Sequence, residues 1–529
     1  MLRRDFLRLS VAGLLTHPLL ASQALARVPA MGQTHSDWAA HLSQQQPLRQ
    51  LPPINNLASG PNFRSALVIQ PTQVPFSDTL NPQLWLYNQT VTPLIEVMEG
   101  SELEVAVDNQ LPYPTTIHWH GVKVPNSQDG GPHDPIPPQG THTYRFRVPE
   151  GNAGLHWFHP HPHGHLAEQI AHGLAGALLV RPRQDPVPSE IPAYLLMVTD
   201  LRLDGRGQVA PHTPVDWMNG REGDILLVNG QRNPLLEVAP GATFRLRMVN
   251  ACAGRYLRLH LQGHGLQLIG TDGGYLEQAV AMDELLLVPG QRCDLLLRAT
   301  TQAGQSFALQ KLPYDRDWMG PEPTHYRQTE TLMTLRTTQG PVQAPIRLPS
   351  RLANIPPLGQ PAVTRQVVLS EEMPGHAMRG MHTGPNHAGH GMAPPAHRGH
   401  GPHSEHTGGG MMMPGRPPIR FMINGETFKP GRILFEGVKG QVEEWEVINA
   451  SHMDHPFHVH GTQFQTVAIR DAGQDWQTPP YRAWQDTVNL KPGQGLKLRL
   501  IFEQPGEWMF HCHIIEHEEL GMMASILVR

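Results

Sequence analysis

The chain reads as all-β, built of several Greek-key sandwiches, on three observations. The 51 Gly and 52 Pro among 529 residues break the chain too often for long helices. Short stretches of alternating apolar and polar residues recur between turn signals, as in PLIEVMEGSELEVAVDNQL. The length of 529 residues suits roughly three or four domains rather than one. Only 16% of residues are charged, and a net charge of -5 leaves no basic face for nucleic acid.

Taken in order, residues 1–26 carry Arg3 and Arg4, an apolar run and a small-residue ending at Ala24, Leu25 and Ala26. They read as a removable export signal for the twin-arginine machinery, because the apolar run is far short of the ~18 residues that span a bilayer. No later stretch is long and apolar enough to cross, so no membrane span is expected after signal removal. Residues 27–60 read as a polar, Pro-containing arm. Residues 61–183 form a first β domain, with TTIHWHGV, THTYRFRV and LAGALLVR as strands. Residues 190–340 form a second, with DILLVNGQ, FRLRMVNA and ELLLVPGQRCDLLLRA as strands and no ligand-spaced His cluster; its expected role is to keep its neighbours in contact. Residues 360–529 form a third, interrupted at 373–413 by a His- and Met-rich insert too poor in large apolar groups to fold alone. Three Cys are too few for a disulfide framework, and Cys252 and Cys293 read equally as a pair or as two buried thiols.

The chemistry concentrates in the run HCHIIEHEELGMM near the end of the third domain. On a strand, His511 and His513 point one way and Cys512 the other. Cys512, His517 and Met522 are three parts of a soft copper set that needs one more imidazole. Upstream stand HWH at 118–120, HPH at 159–161 and HPFHVH at 455–460. With His511 and His513 they make four pairs at i and i+2: His118 with His120, His159 with His161, His458 with His460. Eight imidazoles suit three metals, and His455 is left to complete the Cys512 site. One strand then touches both centres.

These segments resemble the copper-binding segments of multicopper oxidases, and among them the bacterial copper-efflux (cuprous) oxidases. The resemblance covers about residues 60 to 529. It implies three cupredoxin-like domains and four copper ions. His455, Cys512, His517 and Met522 would hold type 1 copper, and His118 and His458 type 2. The type 3 pair would take His120, His159, His161, His460, His511 and His513. His163 and His165 extend the HPH pattern, and the family's habit of placing ligands directly after an aromatic run selects His159 and His161. Asp129 and Glu518 match acidic positions that deliver protons. Met453 resembles a substrate-side methionine, but the family's acidic residue four positions before the type 1 His is Ser451 here, with Asp454 nearby instead. The insert's thioethers, Met373, Met378 and Met381 among them, suit Cu(I).

The implied activity is oxidation of Cu(I) to Cu(II) coupled to reduction of dioxygen to water, in the periplasm, serving copper tolerance. A laccase acting on small phenols is the rival oxidase reading. A copper-binding or storage protein is the reading from another class, though it requires neither the HCH bridge nor four HxH pairs. A scaffold with a degenerate oxidase fold would be expected to have lost ligands, and none is missing.

Overall fold

The computed structural model describes residues 37–373 and 416–529, so the segment expected to be an export signal and nearly all of the insert lie outside the described residues. Among the described residues, strands pair into six sheets, two for each of three cupredoxin-like sandwiches. In the first, the sheet of Phe63–Gln73, Gln83–Tyr87, Glu102–Asn109 and Thr141–Arg147 packs on that of Leu94–Met98, His118–His120, Gly154–His159 and Gly176–Arg181. The alternation that marked Glu102–Asn109 as a strand sends Leu103, Val105 and Val107 into the core and Glu102 and Ala106 outward. Gly100, with φ of 80°, makes the turn before it, a conformation cheap only for glycine.

The same layout recurs twice. Phe63–Gln73 runs parallel to Glu102–Asn109, Ala193–Leu201 to Thr243–Asn250, and Val363–Glu372 to Val442–Asn449. Phe63 pairs with Leu103 in the first sandwich, whereas Val363 pairs with Glu443 in the third. Most of that extra chain is the His/Met-rich insert. The strands on either side of it, Val363–Glu372 and Arg420–Ile423, pair with each other directly, Glu372 opposite Arg420, so the sandwich closes beneath the insertion point.

Each sandwich has its own apolar core, with Trp119 at the centre of the first and Trp445 and Trp508 in the third, all fully buried. Truncating any of the three to Ala would cost about 3–5 kcal/mol. A shared cluster that includes Leu51, Trp157, Met197 and Val249 joins the first two sandwiches. Three short helices, Leu166–Ala171, Pro214–Asn219 and Ile515–Glu519, pack together around Trp217 and Ile515. The middle helix is fixed at its start by a capping box between Thr213 and Asp216, with Pro214 in its first turn.

The arm is less polar in its role than in its composition. Leu51 and Ile54 are buried, the Leu48 N–H bonds the Leu235 carbonyl, and the Leu94 N–H bonds the Pro52 carbonyl, so the arm is sewn to the edges of two sandwiches. Cys252 and Cys293 are unpaired buried thiols. No helix among the described residues is long and apolar enough to cross a membrane.

Candidate metal centre

Eleven side chains converge in two groups, Met522 follows close in the chain, and none of the twelve is more than 2% exposed. The larger group lies between the first and third sandwiches. His118 and His120 sit on the strand His118–His120, and His159 ends the neighbouring strand, opposite His118. In the third sandwich His458 lies opposite His511 in the same way. The two halves meet about a pseudo-twofold axis: His118 stacks on His460 and His120 on His458, each with ring centroids 3.9 Å apart. His161, His460 and His511 form one convergent triplet, with His460 Nε2 3.0 Å and His161 Nε2 3.4 Å from His511 Nε2. The rings of His120, His159 and His513 form another, 5.0 to 5.7 Å apart. His118 and His458 lie 5.9 Å apart between them. His163 and His165 turn elsewhere, toward Phe428 and Tyr113.

The hydrogen bonds fix which nitrogen of each ring is free. His118 donates from Nδ1 to the Asp129 carbonyl (3.0 Å), His159 from Nδ1 to the Pro160 carbonyl (2.8 Å), and His458 from Nδ1 to the Asp486 carbonyl (2.8 Å). His120 donates from Nε2 to Asp486 Oδ1 (3.1 Å). The opposite nitrogens, His118 Nε2, His159 Nε2, His458 Nε2 and His120 Nδ1, are buried without a partner, as are both nitrogens of His513. Leaving so many polar atoms unpaired would cost several kcal/mol. One tethered nitrogen and one free nitrogen aimed inward is the arrangement of metal-ligating histidine. The donor set therefore fits the copper ions that the resemblance implies.

Burial pushes His120, His159, His161, His460 and His513 well below the ordinary imidazole value, and neighbouring rings add to this, so they stand neutral and ready to ligate. Burial also works against charge on His511, but Glu518 beside it reverses the balance and holds it above the ordinary value. Both sequence-predicted carboxylates touch this group. Asp129 Oδ2 accepts from His460 Nδ1 (2.8 Å), and Glu518 lies 3.2 Å from His161 Nε2 and 3.1 Å from His511 Nδ1. Burial alone would raise the Asp129 carboxyl, but His118 and His460 overcome it and hold it well below the usual range. Asp129 also lines a cavity of about 360 Å³ with His133, Tyr144 and Glu507.

The smaller group lies on the other face of the last ligand strand. Cys512 Sγ is 3.4 Å from His455 Nδ1 and 3.8 Å from His517 Nδ1, and the two nitrogens are 3.3 Å apart. His455 Nε2 is 2.7 Å from Ser451 Oγ, and His517 donates from Nε2 to the Met218 carbonyl (3.1 Å) with Phe421 stacked on its face. Met522 is buried, and its backbone bonds to both Cys512 and His517. Burial pushes the Cys512 thiol up, so a thiolate here needs a bound cation.

Residues beyond the predicted set also contribute. Asp486 bonds His120 and grips the buried Arg292 with both oxygens. Nothing in its spacing marks it; it lies one residue before the strand Thr487–Leu490, which pairs with the His455–Val459 strand. The Asp454 carboxylate is turned to Tyr314 and Asn489, leaving the contact with His455 to Ser451. Met453 is buried, Met373 is exposed, and Met378 and Met381 lie outside the described residues.

Comparison with known proteins agrees with this geometry. The multicopper oxidase family descriptions match residues 68–185, 203–337 and 400–529. The chain is 29% identical over 462 residues to the multicopper oxidase mco of Staphylococcus epidermidis, covering 86% of this chain and 84% of that one. It is similar to the solved structure of a Campylobacter jejuni multicopper oxidase described as a metallo-oxidase, with TM-score 0.80 and 35% identity over 92% of this chain and 96% of that one. A laccase from Pediococcus acidilactici follows at TM-score 0.72 and 27% identity, covering 92% and 95%. With its copper-compatible clusters and its match along three successive segments, the chain belongs to the multicopper oxidase family and is an oxidase.

Proposed function

We propose that the chain is a cuprous oxidase holding four coppers, exported to the periplasm by the twin-arginine route and serving copper tolerance. His455, Cys512, His517 and Met522 hold the type 1 ion, His118 and His458 the type 2, and the remaining six histidines the type 3 pair. Bound there, the coppers supply one-electron acceptance from substrate and four-electron reduction of dioxygen to water.

The protein's own contribution begins at Cys512. Its thiolate serves one site while its backbone neighbours, His511 and His513, serve the other, so a continuous covalent path joins the two. Burial of every ligand keeps bulk water from the free ring nitrogens. Asp129 and Glu518 keep ionised carboxylate oxygens within hydrogen-bond reach of His460 and His511, where each can accept a proton and pass it on. The cavity lined by Asp129 supplies the solvent from which that proton is renewed.

The observation that favours Cu(I) over phenols is the covering of both imidazoles at the Cys512 site. The outer nitrogen of His455 is bonded to Ser451 and that of His517 to Met218, and neither ring is exposed. A planar organic donor has no ring edge to lie against. Oxygen uptake by copper-loaded protein, measured in parallel with Cu(I) and with a phenol, tests the reading. A much faster rate with Cu(I) supports it, and a preference for the phenol makes the protein a laccase. Deleting residues 376–410 should slow Cu(I) oxidation more than phenol oxidation; equal losses would show that the insert plays no part in handling the cation.

A further inference from the structure

The middle sandwich holds no metal-spaced cluster among the described residues, yet it reaches the Cys512 site through the end of one helix. Met218 and Asn219 close the helix Pro214–Asn219. The Met218 carbonyl accepts from His517, and the next carbonyl, that of Asn219, accepts from Arg316 Nη1. The Asn219 side chain completes the join, accepting the Met319 N–H (2.7 Å) and donating to the Met319 carbonyl (2.9 Å). Arg316 is a guanidinium only 1% exposed, 3.1 Å from Glu222 and flanked by the rings of Tyr256 and Trp318 at 5.2 and 5.1 Å.

We propose that Arg316 is a positioning residue that sets the reduction potential of the copper at His455, Cys512 and His517. It braces the helix end that orients His517 and places a fixed positive charge beside the site. The inference rests on assigning a copper to these three residues.

The sign follows from elementary electrostatics. Oxidising the bound ion adds one positive charge, and a nearby cation in a poorly screened interior disfavours that form. Reduction is favoured, and the potential rises. The charge is brought to the site by geometry: Arg316 bonds the carbonyl next along the chain from the one His517 bonds, and its guanidinium lies 5.2 Å from the ring of Tyr256, which packs in the same buried cluster as Cys512 and Met522. Burial works to raise the Glu222 carboxyl, but its bond to His325 and the Arg316 charge overcome this and hold it at about 2, so the pair stays ionised. Of the two, Arg316 is the one bonded to the helix end that holds His517.

The test is a redox titration of the copper-loaded full chain, followed by its blue absorption, for Arg316→Met, Arg316→Lys and Glu222→Gln. Arg316→Met should lower the midpoint potential with the blue band retained, Arg316→Lys should stay closer to the unaltered protein, and Glu222→Gln should raise it. Opposite shifts separate charge from loosening, because loosening the helix end would move Arg316→Met and Glu222→Gln the same way. Same-direction shifts, or an unchanged potential in Arg316→Met, overturn the proposal. If Arg316→Met does not accumulate, Glu222→Gln decides alone: a rise supports the proposal, and no change or a fall overturns it. A colourless unaltered protein would overturn the copper assignment and the proposal with it.

Discussion

Asp486→Asn is the most informative single substitution, because Asp486 joins stability to metal binding. Its two oxygens lie 2.8 and 2.5 Å from the two terminal nitrogens of Arg292, and neither side chain is more than 1% exposed. Removing one partner of such a buried pair costs about 3–5 kcal/mol, mostly through the charge left behind. A reserve partner moderates this. Asp272 lies 3.5 Å from the same guanidinium; burial pushes its carboxyl up, Arg292 opposes that and Asp486 adds to it, leaving it at about 7. Without Asp486, Asp272 ionises and takes over Arg292, so the loss should fall near 3 kcal/mol. At roughly 2–4 °C per kcal/mol for a domain of this size, the metal-free protein should melt about 6–12 °C lower. Because the bond from His120 then ends on a neutral amide oxygen instead of a carboxylate, copper affinity should fall by about 10- to 100-fold. Thermal melts of metal-free protein and chelator competition on loaded protein read the two effects separately. Melting within about 2 °C of the unaltered protein, with an unchanged chelator curve, would refute the reasoning.

Three further outcomes follow from the same geometry. Asp129→Asn should slow turnover by about 100-fold or more while the blue absorption stays; steady-state oxygen uptake and a visible spectrum check this, and unchanged turnover would remove Asp129 from proton supply. Metal-free protein should lose stability in acid, because burial holds His455 and His458 at about 4 in the fold against about 6.5 unfolded. Their contribution is present above pH ~6.5 and is lost as pH falls toward 4, by about 2 kcal/mol each between pH 7 and 5; His511, held up by Glu518, acts in the opposite sense. A urea midpoint that does not fall between those pH values would contradict this. Gly290→Ala places a methyl 2.8 Å from His513 Cδ2 at a φ of 86°, adding about 1–3 kcal/mol of backbone strain to a displaced ring. Metal analysis should show copper lost, and full occupancy would mean that the ring can give way.

The convergent histidines were legible because a strand turns spacing into direction: the four pairs at 118 and 120, 159 and 161, 458 and 460, and 511 and 513 lie on strands or at their ends, aimed into one space, while His163 and His165 beyond the second pair turn away. Cys512 between His511 and His513 was legible for the same reason. Asp486 was not, because a single carboxylate before a strand carries no periodic mark and its partner Arg292 is remote in the sequence. Nor was the Met218 carbonyl, since a backbone acceptor has no signature in side-chain chemistry. The middle sandwich, read as a spacer, contributes Gly290 against His513, Met218 against His517, and Arg292 behind His120. Its share of the centre consists of close approaches and buried charge, which no local pattern encodes. The contacts of the arm were not legible either, because a few buried apolar residues and backbone bonds fix it and composition does not mark which ones.

The pseudo-twofold meeting of the histidines has one more consequence. By strand position, His159 and His161 in the first sandwich correspond to His511 and His513 in the third, so Pro160 stands where Cys512 stands. Continuing by the shared backbone bonds, Thr115 takes the place of His455, and the bond from the Leu174 N–H to the Gln169 carbonyl repeats that from the Met522 N–H to the His517 carbonyl, so Leu174 takes the place of Met522 and Gln169 that of His517. Thr115 and Gln169, in the places of the two imidazoles, are joined to each other by a 2.6 Å bond. Two like halves around a shared centre offer two equivalent doorways for charge. Here one doorway has been bricked up by proline, threonine, glutamine and leucine.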